Sequence, residues 1–195
     1  MKKIVLASSN QGKIKEFHTI LASLPLDLIP QSHYHITDVD ETGLTFIENA
    51  LLKARNACAI TKLPAIADDS GICIQALNDA PGIYSARYAG PNATSGDRIA
   101  KVLHEMKSVP TDQRQAAFHC VIVYLEHETD PNPLIAHGIW QGMILETPQG
   151  EQGFGYDPIF FDPEYQCTAA ELDPTLKNKI SHRGKALAQL MSLLT

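Results

Sequence analysis

The chain has 195 residues, 44% hydrophobic and 19% charged, and 16 Lys and Arg against 22 Asp and Glu give a formal net charge of −6. Such an apolar fraction excludes a disordered chain, and a chain this long buries roughly 70% of its unfolded surface on folding. The acidic balance argues against an extended electrostatic grip on long nucleic acid or on an anionic membrane, but leaves room for a small anion in a local basic pocket.

In chain order, Lys2–Ala7 reads as a buried strand. Asn10 then opens a helix with Ile14, Phe17, Leu21 and Leu24 at helical period, stopped by Pro25. Leu26–Ile29 is a short second strand. Ser32–Gly43 is polar and turn-rich, a loop carrying Asp38, Asp40 and Glu41. Thr45-x-x-Glu48 is a capping box, and its helix runs through Ile47, Leu51, Ala54 and Cys58 to end before Pro64. Ala65–Ala67 is a strand that runs into Asp68-Asp69-Ser70-Gly71, and Ile72–Leu77 continues as strand. Ala80–Ala93 is irregular, and a helix follows from about Ser95 to Met106. Ala116–Leu125, apolar on both faces, suits a central strand. Pro131 and Pro133 turn the chain into a strand over Ile135–Leu145. Glu151–Asp157 is a Gly-rich loop, Pro158–Phe161 a short strand. Two helical stretches close the chain, one near Ala169 and one after Ser181 with Leu187, Leu190 and Leu194 on one face. The order is α/β without strict βαβ alternation, and we expect one domain over residues 1–195, with two lobes around a cleft.

Ile4–Ala7 is too short for the apolar core of a secretory signal, and the longest strongly apolar stretch, Phe118–Leu125, is too short to span a bilayer. Cys58, Cys73, Cys120 and Cys167 form no C-x-x-C pair, so neither a zinc ribbon nor a thioredoxin motif is present. Buried free thiols in a cytoplasmic protein are the expectation.

Four constellations carry chemistry. Ser8, Ser9, Asn10, Gln11, Gly12 and Lys13 lie between a strand and a helix, whose N-terminus offers free N–H groups and a partial positive charge to an anion. The plainer reading is a capped helix with a surface lysine; the stretch is not a Walker A loop. Asp68 and Asp69 are adjacent carboxylates, costly to bury without a cation. Either only one of them faces a site, because neighbours on an extended backbone alternate, or a turn bends both toward it. Gly153, Phe154, Gly155, Tyr156 and Asp157 offer a ring to a flat ligand and a carboxylate to a base N–H; the plainer reading is a tight turn with aromatic core anchors. Lys177 precedes Ser181, His182 and Arg183, and cations at the start of a helix oppose its dipole, which hints at a ligand.

Together these blocks resemble the non-standard purine nucleoside triphosphate pyrophosphatases, the dITP/XTP pyrophosphatase or Ham1-like family, from Lys3 to about Leu190. The stretches that carry the resemblance are SSNQGK, ETGLTFIENALLKAR at 41–55, PAIADDSG at 64–71, APGIYSARY at 80–88, GFGYDPIFF at 153–161 and ISHRGKAL at 180–187. Ser8 stands where the family more often has Thr. The resemblance implies a long twisted mixed sheet flanked by helices, two lobes around a deep active-site cleft, a homodimer and a Mg²⁺ requirement. It implies hydrolysis of ITP, dITP and XTP to the monophosphate and pyrophosphate. By the same resemblance Ser8, Asn10, Lys13 and Lys53 hold the triphosphate, with Ser9, Gln11 and Gly12 in the same loop. Glu41, Asp68 and Asp69 supply the metal site, and Asp69 is the general base. Ser70 touches the substrate, Phe154 stacks on the purine with Gly155 and Tyr156 beside it, and Asp157, Lys177, His182 and Arg183 read the base edge.

The residue types suit this chemistry. Water attacking the α-phosphorus builds charge on oxygen that a cation and lysines stabilise, and no Cys or Ser paired with a base offers a covalent route. Selectivity has a physical basis too: hypoxanthine and xanthine present an acceptor at O6, where adenine presents a donor, so an Arg183 or His182 donor discriminates. Two other readings stay open at this point: a nucleotide sensor without turnover, and a pyrophosphatase acting on modified pyrimidines.

Overall fold

The computed structural model describes residues 1–194. Seven strands form one mixed sheet in the order β2-β1-β3-β4-β5-β6-β7. They are β1 (Lys2–Leu6), β2 (Leu26–Pro30), β3 (Ala65–Ile74), β4 (Gln115–Leu125), β5 (Leu134–Ile144), β6 (Phe160–Asp162) and β7 (Cys167–Thr168). The helices are α1 (Gln11–Leu21), α2 (Phe46–Thr61), α3 (Ser95–Glu105), α4 (Pro174–Ile180) and α5 (His182–Leu194). β1 pairs in parallel with β2 and with β3, whereas β5–β6 and β6–β7 are antiparallel. β4, read from sequence as central, is the middle strand of the seven.

The chain divides into two compact units. Of the described residues, the first comprises 1–69, 120–138 and 182–194; the second comprises 70–119 and 139–181. Strands β3, β4 and β5 each contribute to both units.

In the first unit, the period of two along the strands sorts side chains onto two cores. Ile4 and Leu6 of β1 and Ile66 of β3 pack with Phe17 and Leu21 of α1 and with Ala186, Leu187 and Leu190 of α5. Val5, Ala7, Ala65 and Ala67 point the other way and pack on Ala50, Ala54, Ala57 and Cys58 of α2. This alternation matters at the next two residues of β3.

The second unit has a single aromatic core. Phe118, Trp140 and Phe160 lie with ring centroids 4.6 Å (Phe118–Phe160) and 4.9 Å (Trp140–Phe160) apart, within the range of favourable aromatic pairs. Ile72, Ile74, Val102, Met106, Ile144 and Tyr156 complete it.

Three local expectations are corrected. The sequence leaves open a turn at Asp68–Gly71 and carries the strand to Leu77; β3 runs unbroken from Ala65 and ends at Ile74, and the turn comes at Gln75–Leu77. Ala169 is not helical: it follows β7, and α4 begins only at Pro174, where Asp173 caps it by accepting from Thr175 and Leu176 N–H. Pro158 stands in a 3₁₀ turn, Asp157–Ile159, because proline lacks the N–H a ladder needs, and β6 starts at Phe160. None of the four cysteines is in a disulfide; Cys58 and Cys120 are buried and Cys73 and Cys167 half-buried. Among the described residues no helix is long and apolar enough to cross a membrane.

Candidate active site

Because β3 is continuous, Asp68 and Asp69 face opposite sides of the sheet. Asp68 continues the side of Ile66, toward α1 and α5; Asp69 continues the side of Ala65 and Ala67, toward α2. The structure thereby answers the alternative left open by sequence: no turn bends the pair together.

On the Asp68 side, Lys13 Nζ lies 2.8 Å from Asp68 Oδ2, and Arg183 Nε lies 3.7 Å from the same oxygen. Arg183 Nη1 also donates to Glu16 Oε2 at 2.5 Å. Lys13 and Glu16 are three apart on α1 and so share a face. Charges thus alternate along Glu16, Arg183, Asp68 and Lys13. Burial alone would raise the Asp68 pKa, but Lys13, Arg183 and Lys53 outweigh it and hold the carboxyl far below the usual range. Burial likewise works against the Arg183 charge, and Asp68, Cys120 and Glu16 more than offset it. Gly138 on β5 makes this placement possible: a Cβ there would collide with the His182 carbonyl and come within 2.6 Å of Ala186 N. Only glycine lets the first turn of α5, with His182 and Arg183, sit against the strand.

The loop leading into α1 is built as the plainer reading supposed, with additions. Asn10 caps the helix, its Oδ1 accepting from Lys13 N–H at 3.1 Å, and Ser8 Oγ accepts from Asn10 N–H at 3.3 Å. Ser9 Oγ donates to Asp38 Oδ2 at 2.7 Å, and the buried Gln31 donates to Asp38 Oδ1 at 2.5 Å. Asp38 therefore ties the loop to the 3₁₀ turn at Gln31–Tyr34. Gln11 and Gly12 begin the helix, and its first turn contains no acidic residue.

On the Asp69 side, Lys53 Nζ lies 3.0 Å from Glu41 Oε1 and 3.4 Å from Asp69 Oδ1. Asn49 donates from Nδ2 to Asp69 Oδ2 at 3.3 Å. Asn49 and Lys53 are four apart on α2 and present one face to the carboxylate. Thr45 caps that helix as expected, while the Glu48 carboxylate accepts from Leu44 N–H and from the Thr45 hydroxyl. Burial pushes the Asp69 pKa up; Lys53 opposes this, and Glu41 adds to it. Burial would lower the Lys53 pKa, but Asp69, Asp68 and Glu41 raise it above its ordinary value.

The second unit holds the other predicted residues. Phe154 is exposed, with Lys177 Nζ 5.3 Å from its ring centroid. Lys177 reaches Asp157 Oδ2 at 2.5 Å, and the same oxygen accepts from Phe154 N–H at 2.7 Å. Gly153 and Gly155, both at positive φ, shape the loop around this buried carboxylate. Tyr156 points into the core, its phenol donating to the Ser85 carbonyl at 2.8 Å, so it is the aromatic anchor of the plainer reading. Ser70 is half-buried on β3.

Of the predicted residues, the structure brings Lys13, Asp68 and Arg183 together on one side of β3, and Glu41, Lys53 and Asp69 on the other. It gathers Phe154, Asp157 and Lys177 in the second unit. Glu16 and Asn49 are absent from the sequence-based expectations, and Asp38 enters them only as a loop acid with no role at the site. A signal existed for Asn49: an Asn on the inward face of a helix, one turn before Lys53.

An α/β sheet here sets a capped helix start, two lysines and an arginine among carboxylates, a grouping chemically suited to binding phosphate. The sequence profile described as "Ham1 family" matches residues 4–193, and the chain belongs to the Ham1 family. It is 55% identical over 195 residues to the dITP/XTP pyrophosphatase of Coxiella burnetii, covering 100% of this chain and 98% of that one. Among solved structures, the HAM1 protein from Coxiella burnetii superposes with a TM-score of 0.94 at 55% identity, covering 100% and 98% of the two chains. The Staphylococcus aureus Ham1 protein superposes at 0.87 and 42% identity, covering 99% and 98%.

Proposed function

We propose that the chain hydrolyses non-standard purine nucleoside triphosphates, ITP, dITP and XTP, to the monophosphate and pyrophosphate. The observation that carries this reading is the cluster around β3, where Lys13, Lys53 and Arg183 are interleaved with Glu16, Glu41, Asp68 and Asp69. These seven groups sum to −1, so a triphosphate enters only with compensating cations.

The residues suit a hard divalent ion. Glu41 and Asp69 already converge on one ammonium nitrogen, that of Lys53, which marks a point where two carboxylates share a positive charge. Oxygen-only donors favour Mg²⁺ over softer metals. In this reading Glu41 and Asp69 are the direct ligands. Asp68, the third carboxylate of the predicted set, acts from the opposite face, where it holds Lys13 and Arg183. When bound, the ion neutralises phosphate oxygens and lowers the pKa of a bound water.

The chain's own residues do the rest. Lys13 and the N-terminal amides of α1 bind phosphate oxygens, with Ser8, Ser9, Asn10, Gln11 and Gly12 shaping that loop. Lys53 turns from the carboxylates to a phosphate. Asp69, whose burial favours its protonated form, takes a proton from the attacking water. The water oxygen bonds to the α-phosphorus, the bond from that phosphorus to the bridging oxygen breaks, and pyrophosphate leaves with the electron pair. Phe154 stacks on the purine, and Ser70, Gly155, Tyr156, Asp157, Lys177, His182 and Arg183 supply or support the donors that favour an O6 acceptor over the adenine amine.

The protein acts on free nucleotides in the cytoplasm, as a homodimer, and keeps deaminated purines out of DNA and RNA. The test is pyrophosphate release across ITP, dITP, XTP, GTP, ATP and dTTP with Mg²⁺. Release is expected on the first three, and an Asp69→Asn variant should lose about 10²–10⁴-fold in kcat while still binding nucleotide. Flat or absent release across the series overturns the reading, and near-normal kcat in Asp69→Asn overturns the base.

A further inference from the structure

Asn49 is fully buried, and its two side-chain atoms are both engaged. Its Oδ1 accepts from Gly43 N–H at 2.8 Å and its Nδ2 donates to Asp69 Oδ2 at 3.3 Å. The amide has only one workable orientation, because a backbone N–H must face oxygen and a carboxylate must face the NH₂ group. Asn49 therefore reads both partners at once.

Asp69 meets a different donor at each oxygen, Lys53 at Oδ1 and Asn49 at Oδ2. That arrangement fixes the plane of the carboxylate as well as its position. Both donors come from the same face of α2, and both reach the loop before that helix, Lys53 through the Glu41 carboxylate and Asn49 through the Gly43 backbone. The loop is fitted closely to the amide: a Cβ on Gly43 would come within 2.6 Å of Glu48 Cβ and 2.7 Å of Asn49 Oδ1.

We propose that Asn49 is a positioning residue for Asp69, and that Gly43 is glycine so that the loop can close on the Asn49 amide. The inference rests on the reading of Asp69 as the base. It gives Asn49 a task that Lys53 cannot perform throughout turnover. A lysine that moves to a substrate phosphate leaves Oδ1, whereas the amide is uncharged, buried and tied to the loop, so it keeps Asp69 aimed.

The test compares two single variants, their combination and Asp69→Asn in steady-state pyrophosphate release from ITP, with thermal melting of each. Asn49→Asp keeps the size and the acceptor for Gly43 but removes the donor to Asp69. Gly43→Ala disturbs the same bridge from the loop side and leaves Asn49 intact. Each is expected to lower kcat about 10–100-fold, the usual scale for removing a partner that orients an active-site group, with KM for ITP near that of the parent. The double variant should lose less than the product of the two single effects, because both break one bridge. A folded Asn49→Asp with parental kcat overturns the inference; should that variant not fold, a parental kcat in Gly43→Ala does so. A rise in KM matching the loss in kcat/KM, with kcat unchanged, also overturns it, since that pattern belongs to a loop that only binds. If Asp69→Asn itself keeps parental kcat, the base assignment fails; if Asp69→Asn is inactive and Asn49→Asp is not impaired, only the positioning role fails.

Discussion

Arg114 in the second unit and Arg183 in the first are almost equally sealed from solvent, at 2% and 3% exposure, yet they face different partners. Arg114 spends its guanidinium on backbone: Nε donates to the Ile144 carbonyl at 2.8 Å, Nη1 to Met106 at 2.9 Å and Val109 at 3.3 Å, and Nη2 to Leu145 at 3.1 Å. Arg183 meets the carboxylates of Glu16 and Asp68. Met106 already accepts from Val109 N–H at 2.9 Å, and Arg114 ties that carbonyl to those of Val109, Ile144 and Leu145 across the ends of α3 and β5, so Arg114 is a fastener. Asp68 beside Arg183 is held charged, well below its ordinary pKa, and draws in Lys13 as well. The same side chain, equally buried, is structural where its partners are neutral and a candidate for chemistry where they are ionised.

Arg→Lys at both positions breaks the comparison most sharply. An ammonium has three donors on a flexible stem and cannot span four carbonyls as a planar fork does. Arg114→Lys should therefore cost about 2–4 kcal/mol, given ~1–3 kcal/mol for each buried acceptor left without a partner and partial recovery by the remaining contacts. For a chain of this size that is a fall in Tm of roughly 5–15 °C. The ratio of ITP to ATP turnover should not change. Arg183→Lys keeps the charge beside Asp68 and should melt closer to the parent, while the ITP/ATP ratio falls if, as proposed, the guanidinium fork recognises O6. Melting curves and steady-state rates on both nucleotides decide the matter. If Arg114→Lys altered the ratio, or Arg183→Lys lost only stability, the division between fastener and recognition group would collapse.

Much of the fold can be read from the residues in order. The turn at Pro131 and Pro133, the capping pair Thr45 and Glu48, and Pro64 each act within a few residues, and β5 and α2 appear close to where expected, whereas α1 stops at Leu21, short of the Leu24 expected before Pro25. What could not be read is long-range. The partner of Arg183 is Glu16, 167 residues away, and nothing local to either marks the pairing. The unbroken course of β3 through Asp68 and Asp69 was hidden for a related reason. Two acidic residues followed by Ser-Gly favour a turn on local grounds, and only Lys13, Lys53 and Arg183, brought from three other elements, make it tolerable to keep them extended and buried. The helix expected near Ala169 fails because the place of Ala169 is set by a backbone bond from its N–H to the Phe160 carbonyl at 2.8 Å.

A smaller contrast lies in the starts of α1 and α3. α3 carries a complete capping box: Thr94 Oγ1 accepts from Asp97 N–H at 3.2 Å, and Asp97 Oδ2 accepts from Thr94 N–H at 2.8 Å and from its hydroxyl at 2.7 Å. The acid sits at the positive end of the helix dipole and satisfies it internally. α1 has the cap, Asn10, but Lys13 where α3 has Asp97, so its dipole is opposed by a cation that turns to Asp68. Thr94→Ala should then cost ~1 kcal/mol, a fall in Tm of about 2–4 °C, with parental activity. The Thr94 hydroxyl and N–H also hold the Asp97 pKa below its ordinary value. A carboxyl depressed in the folded state adds stability above its unfolded pKa and loses it as pH falls through the folded value. The deficit of Thr94→Ala against the parent should therefore be full at neutral pH and shrink below about pH 4, the ordinary Asp range. Asn10→Ala removes a cap with no acid behind it, so its deficit should lack that acidic dependence. Melting both variants between neutral and acidic pH reads the difference directly. Parallel curves would mean that the acid in α3 contributes nothing beyond the hydroxyl cap, and that the two helix starts differ only in the residue that follows.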